Sequence, residues 1–116
     1  MIARLMGLRV ISPRALHGRL HEGDVTVFDV NDVTRWREAR VPGARHLDPA
    51  AFGADALPAD RDAALVFYCS NPLCRKAPNA ARRAEKLGWR NVSVMDAGIS
   101  GWLGASLPVE SGEPRR

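Results

Sequence analysis

The sequence predicts an α/β fold built on a small, mainly parallel sheet. Three observations carry this reading. Strand-like apolar runs occupy 25–30, 64–69 and 92–95. Helix-like patterns separate them, and glycine or polar residues break the chain at the junctions. Strands alternating with helices are the signature of parallel sheets, in which ligands bind at the carboxyl ends of strands.

Taken in order, Val10 and Ile11 form a short edge strand. Ser12 then caps a helix that has Pro13 at its first position. Leu16 and Leu20 lie four apart on one helical face, and Gly23 ends that helix. The run 25–30 is a buried strand finishing at polar Asn31 and Asp32. A short helix over 33–39 turns Trp36 inward. Val41, Pro42, Gly43 and Ala44 carry turn chemistry. A short strand at 45–47, one helical turn at 49–52 and a loop over 53–62 follow. After the strand at 64–69 and a polar loop, a helix starts near Lys76. Its Ala77, Ala80, Ala81, Ala84 and Leu87 recur at helical spacing and give one small-residue face for packing on a sheet. Gly88 stops it. The strand 92–95 leads through a turn into a short helix that ends near Leu103. The tail from Val109 to Arg116 holds proline, glycine and charge and is expected to fray.

Composition bounds the function. A chain of 116 residues fits one domain, 1–116, with a core over about 10–110. Its two cysteines do not make a disulfide scaffold and suit a reducing cytoplasm. Arg4 and Arg9 interrupt the N-terminal apolar residues, so no signal peptide is expected, and no run is long enough for a membrane span. The net charge of +4 comes from arginines spread along the chain rather than clustered with aromatics, which argues against a nucleic-acid partner. A basic surface also steers small anions.

The residue that points to chemistry is Cys69, at the junction of the strand 64–69 and the loop before the next helix. Backbone N–H groups and a helix dipole there favour a thiolate, the form that attacks sulfur, phosphorus or arsenic centres. The expected pKa is therefore low, with the amides of 70–75, Arg75 and Lys76 supplying the positive field. The bland alternative is a buried small hydrophobe. Cys74 is open between a second reacting thiol, able to resolve a persulfide or sulfenate on Cys69, and a packing residue. Ser70, Asn71, Leu73, Cys74, Arg75 and Lys76 form the loop expected to cradle the substrate. Asp29, at the end of the neighbouring strand, either orients that loop or caps its own turn. Trp36, Trp89 and Trp102 read as core. His17, His21 and His46 have no motif around them, so no general base is assigned. Metal binding by the two cysteines is not expected, because no set of four ligands is evident.

Three segments in register resemble the rhodanese-like family and cover residues 10 to 110. They are Val27-Phe28-Asp29-Val30 with the later Val41-Pro42-Gly43-Ala44, Phe67-Tyr68-Cys69 with its loop and Ala-rich helix, and Ala97-Gly98-Ile99-Ser100-Gly101-Trp102 with Leu107-Pro108-Val109. The resemblance implies a parallel sheet with helices on both sides and a persulfide-forming Cys69. It implies transfer of sulfane sulfur from a thiosulfate-type donor to a thiol or cyanide acceptor, with a protein thiol among the candidates, and without cofactor or metal. Asn31 stands where the family often has arginine. Arg75 closes a Cys-x5-Arg loop, one residue longer than is typical for a sulfurtransferase, and the helix aligns as well with Lys76 closing a loop longer still. The Cys-x5-Arg length is similar to related phosphatases and arsenate reductases, whose loops hold a tetrahedral oxyanion. Pro72 offers no N–H, and the loop lacks glycine. Oxyanion chemistry and a non-catalytic binding or redox-sensing module on the same fold are the two alternatives.

Overall fold

The computed structural model describes residues 2–113. Its elements are α1 (Ile2–Leu5), β1 (Arg9–Val10), α2 (Pro13–Glu22), β2 (Val25–Asp29), α3 (Val33–Glu38), β3 (Arg45–His46), a 3-10 turn (Ala54–Ala56), β4 (Ala64–Tyr68), α4 (Lys76–Lys86), β5 (Val92–Val94) and α5 (Gly98–Gly104). The five strands form one sheet in the order β1-β5-β4-β2-β3, with every pair parallel.

Strand alternation divides the core in two. Phe28, Leu65, Phe67 and Val94 point to one face, where Ala77, Ala80, Ala81 and Ala84 of α4 and Ala3 of α1 cover them. Val27, Val66 and Tyr68 point to the other, under Leu16 of α2 and Trp102 of α5. Residues two apart share a face of a strand, so both faces of a parallel sheet must be apolar. The small side chains of α4 let its backbone lie close to the sheet. Helices therefore cover both sides, as the resemblance implied.

Local signals behave as read. The Ser12 side chain accepts the N–H of Ala15 at 3.2 Å, Pro13 opens α2, and Gly23 ends it with φ 72°. The three tryptophans are buried and each indole N–H has an acceptor: the carbonyls of Ala44 for Trp36, Pro58 for Trp89 and Pro108 for Trp102. Two local expectations are corrected. Residues 49–51 make a turn, and the helical turn lies later, at Ala54–Ala56. Asp48 takes the N–H of Ala50 with its side chain, which replaces a helical start by an Asx-type turn.

The tail expected to fray is held down as far as Glu113. Arg40 and Glu110 form an antiparallel bridge with both backbone bonds made. The nearly buried Arg40 guanidinium donates to the carbonyls of Trp36 and Gly112, lies 4.1 Å over the Trp36 ring and meets the Glu110 carboxylate at 3.5 Å. Composition does not reveal this, because the partner lies seventy residues back. Residues 114–116 of that tail lie outside the described residues. No described helix is long and apolar enough to cross a membrane.

Candidate active site around Cys69 and Cys74

The site forms where β2 and β4 end. Asp29 pairs with Tyr68 in the sheet register, and Cys69 is the next residue after β4. The chain must leave the sheet there, and two bonds fix how it does so. The N–H groups of Ile99 and Ser100, at the start of α5, donate to the carbonyls of Cys69 and Ser70 at 2.9 and 3.0 Å. The loop then folds back on itself. Asn71 accepts the N–H of Leu73 with its side chain at 2.9 Å and the N–H of Cys74 with its carbonyl at 3.1 Å. Cys74 is thereby returned to Cys69, whose sulfur lies 3.6 Å from the Cys74 carbonyl oxygen. The two thiols influence each other's proton affinity.

The electrostatics reverse the sequence-based expectation. Cys69 is 3% exposed, and burial is the largest cause that pushes its thiol up to about 12. Its hydrogen bond to Cys74 raises it further, while the N–H groups of Ala77 and Ser70 lower it by less. The amides foreseen from the loop are present, but desolvation of the anion outweighs them. Cys74 is the thiol held below its ordinary value, although burial opposes this. Its hydrogen bond with Cys69, the N–H groups of Lys76 and Ser70 and the Lys76 ammonium favour its thiolate. The pair thus gives up its first proton at Cys74. Replacing Cys74 by alanine removes a raising influence on Cys69. Its thiol is expected to fall below about 12 and, because burial remains, to stay above the ordinary 9.0. A thiolate absorbance titration of Cys74→Ala checks this, and an unchanged midpoint refutes it.

Above the pair opens a cleft of about 400 Å³, lined by Asn31, Asp32, Arg35, Ser70, Asn71, Leu73, Cys74 and Lys76. Cys74 lines it, whereas the buried Cys69 does not. Leu73 is 82% exposed at the loop tip. Arg75 is exposed beside it and has no ion pair among the described residues. A second hollow, of about 600 Å³, adjoins through Asn31, Asp32 and Lys76 and reaches His46, Asp48 and Asn79. Of the loop residues singled out from sequence, Ser70, Asn71, Leu73, Cys74 and Lys76 line the cleft and Arg75 does not. Among the described residues no three His, Cys, Asp or Glu side chains converge as a metal site.

Asp29 does not touch the loop. It is fully buried, accepts the Tyr68 hydroxyl at 2.6 Å and caps the N–H of Asn31 at 2.9 Å. Tyr68 in turn accepts the N–H of Val41 at 3.1 Å. The link onward is Asn31, whose side-chain oxygen accepts the Ser70 hydroxyl at 2.7 Å. Burial raises the Asp29 carboxyl above the ordinary 3.8, against the lowering effect of its hydrogen bonds with Tyr68 and Asn31. The folded protein then holds this proton more tightly than the unfolded chain does. Its contribution to stability is complete below 3.8 and is lost as pH rises through the raised value. In urea unfolding, the wild-type midpoint relative to Asp29→Asn is expected to fall from acid toward neutral pH, and a constant gap contradicts this.

Sequence reasoning missed Asn31 and Arg35 as site residues. Arg35, on α3, donates to the Ser70 hydroxyl at 3.1 Å. A guanidinium therefore reaches the loop from one helical turn beyond Asn31, the position where the resemblance expects arginine. His46 lies behind Asn31, with its Nε2 2.7 Å from the Asn31 carbonyl oxygen.

The Rhodanese-like domain profile matches residues 12–105. The chain is 38% identical over 99 residues to the HTH-type transcriptional regulator Rv0324 of Mycobacterium tuberculosis, covering 83% of this chain and 42% of the regulator. It is 26% identical over 102 residues to thiosulfate sulfurtransferase GlpE of Glaesserella parasuis, covering 88% of this chain and 93% of GlpE. Among solved structures, the BH2092 protein from Bacillus halodurans superposes with a TM-score of 0.81 at 24% identity, over 89% of this chain and 77% of that one.

Proposed function

From the premise that this chain belongs to the rhodanese-like domain family, we propose that it is a sulfurtransferase carrying sulfane sulfur on Cys69. The observation that carries this reading is the placement of Cys69 directly after the central strand. Its loop is pinned by the N–H groups of Ile99 and Ser100, and Arg35 and Lys76 line the mouth.

The donor class is a small sulfur-containing anion of the thiosulfate type. The Cys69 thiolate attacks the outer sulfur, the S–S bond of the donor breaks, and sulfite leaves with the bonding electron pair. The persulfide then meets a thiol or cyanide acceptor, which takes the outer sulfur and returns the Cys69 thiolate. Cations at the cleft offset the charge of donor and leaving group. Thiosulfate sulfurtransferase GlpE, similar over nearly its whole length, supports this choice of chemistry.

With the Cys69 thiol up at about 12, only a small fraction is thiolate near neutrality. Loading is therefore expected to quicken by about tenfold per pH unit across the neutral range. The test is rapid-quench measurement of sulfite after thiosulfate addition. One sulfite per chain is expected from the wild type and none from Cys69→Ala. A burst that survives Cys69→Ala, or a wild type with no burst, overturns the reading.

The second thiol in the loop favours one further reading, thiol-dependent reduction of arsenate. Two thiols there supply two electrons and end as a disulfide, while arsenate leaves as arsenite and water. Arsenite formation by the wild type, lost in Cys74→Ala, is its measurement.

A further inference from the structure

The geometry points to Cys74 as the thiol that discharges a Cys69 persulfide, closing a Cys69–Cys74 disulfide and releasing hydrosulfide. This inference rests on the sulfur-carrier reading above and adds to it an acceptor built into the chain.

Four observations support it. Asn71 makes two bonds that turn the loop so that residue 74 returns to residue 69. The Cys69 sulfur then sits 3.6 Å from the Cys74 carbonyl oxygen, so residue 74 contacts the carrier atom directly. Cys74 is half-buried and lines the cleft, while Cys69 is buried and does not, so Cys74 is the more accessible of the two thiols. The chain has no third cysteine that could compete. Attack also requires a thiolate, and the Lys76 ammonium with nearby backbone N–H groups favours that form at Cys74.

The inner sulfur of such a persulfide is the Cys69 Sγ itself, the atom that already contacts residue 74 through its carbonyl oxygen. Attack there forms the Cys69–Cys74 bond and breaks the bond to the outer sulfur, which leaves with the electron pair as hydrosulfide. The two cysteines are oxidised by two electrons, and the sulfane sulfur is reduced by the same two. An external dithiol then reduces the disulfide by exchange and becomes a disulfide itself. The product of this branch is hydrosulfide, so the step that follows it must be one that consumes sulfide.

The test loads the full chain with thiosulfate, quenches with N-ethylmaleimide and reads sulfite, sulfide and intact mass for the wild type and Cys74→Ala. The wild type is expected to release one sulfite and then one sulfide per chain. It should end two hydrogens lighter than the reduced chain, with neither cysteine alkylated and residues 69 and 74 in one cross-linked peptide. A small dithiol should restore both thiols. Cys74→Ala is expected to release sulfite, to keep the extra sulfur on Cys69 at least about tenfold longer, and to release no sulfide with it. Cys74→Ser gives the same readout should the alanine variant fold poorly. A wild type that keeps its extra sulfur as long as the variants overturns the inference and leaves the carrier reading standing. Absence of both sulfite and sulfur gain in every variant overturns the carrier reading and this inference together.

Discussion

Replacing Gly98 by alanine is expected to lower sulfur transfer by about a hundredfold or more, with a marked loss of stability. Gly98 has φ 68°, where an L side chain is disfavoured by about 1–2 kcal/mol. The larger problem is space. A Cβ there would stand 2.5 Å from the Ser70 carbonyl carbon and 2.6 Å from both the Ser70 oxygen and the Asn71 nitrogen. All three are backbone atoms of the loop that follows Cys69, so no side chain can rotate away. Overpacking of this kind costs about 1–3 kcal/mol, which brings the total to about 2–5 kcal/mol. Relief must come from moving the loop, and the bonds from Ile99 and Ser100 that seat Cys69 move with it. Gly18→Ala, where a Cβ meets nothing within 4 Å inside α2, is the control and should stabilise the fold slightly. Chemical unfolding and sulfite-burst rates on the two variants decide it. A Gly98→Ala protein with wild-type burst and midpoint refutes the account.

The second large effect is expected at Asp29. Asp29→Ala leaves the Tyr68 hydroxyl and the Asn31 N–H without their acceptor inside the protein. Each unsatisfied buried group costs about 1–3 kcal/mol, so a loss of about 2–6 kcal/mol is expected. Tyr68→Phe removes one donor but orphans the Val41 N–H. The double variant should therefore lose less than the sum of the singles, by about 1–2 kcal/mol of coupling. Strict additivity in urea unfolding contradicts the network. Sulfur loading should also slow in Asp29→Ala, because the freed Asn31 holds the Ser70 hydroxyl at the cleft.

Particular residues show what the sequence made legible. Ser12, Pro13 and Gly23 bound α2 through local chemistry, and the spacing of Ala77, Ala80, Ala81 and Ala84 specifies the buried face of α4 without reference to the rest of the fold. Cys69 was found because strand, loop and helix follow one another along the chain. Its protonation was misread because burial is a property of the folded whole. The balance that sets it lies in how deeply the thiol is covered and in a hydrogen bond from five residues away, neither of which periodicity records. Arg35 and Asn31 escaped notice for the same reason: they meet Ser70 only after β2 and β4 pair. The Arg40 clamp on the tail is longer-ranged still.

The sheet order has a consequence for how the protein emerges during synthesis. Every strand pairing is parallel and distant: Val25 waits for Ala64, Leu65 for Val92, and Arg9 for Ser93. Until β4 leaves the ribosome, only β2 and β3 can pair. Chains dominated by such non-local pairings fold slowly. Cys69 and Cys74 follow β4 directly, yet the residues that anchor their loop, Gly98 to Ser100, come nearly thirty positions later. The nascent chain therefore carries two uncovered thiols through that interval, open to oxidation until α5 has been made and docked.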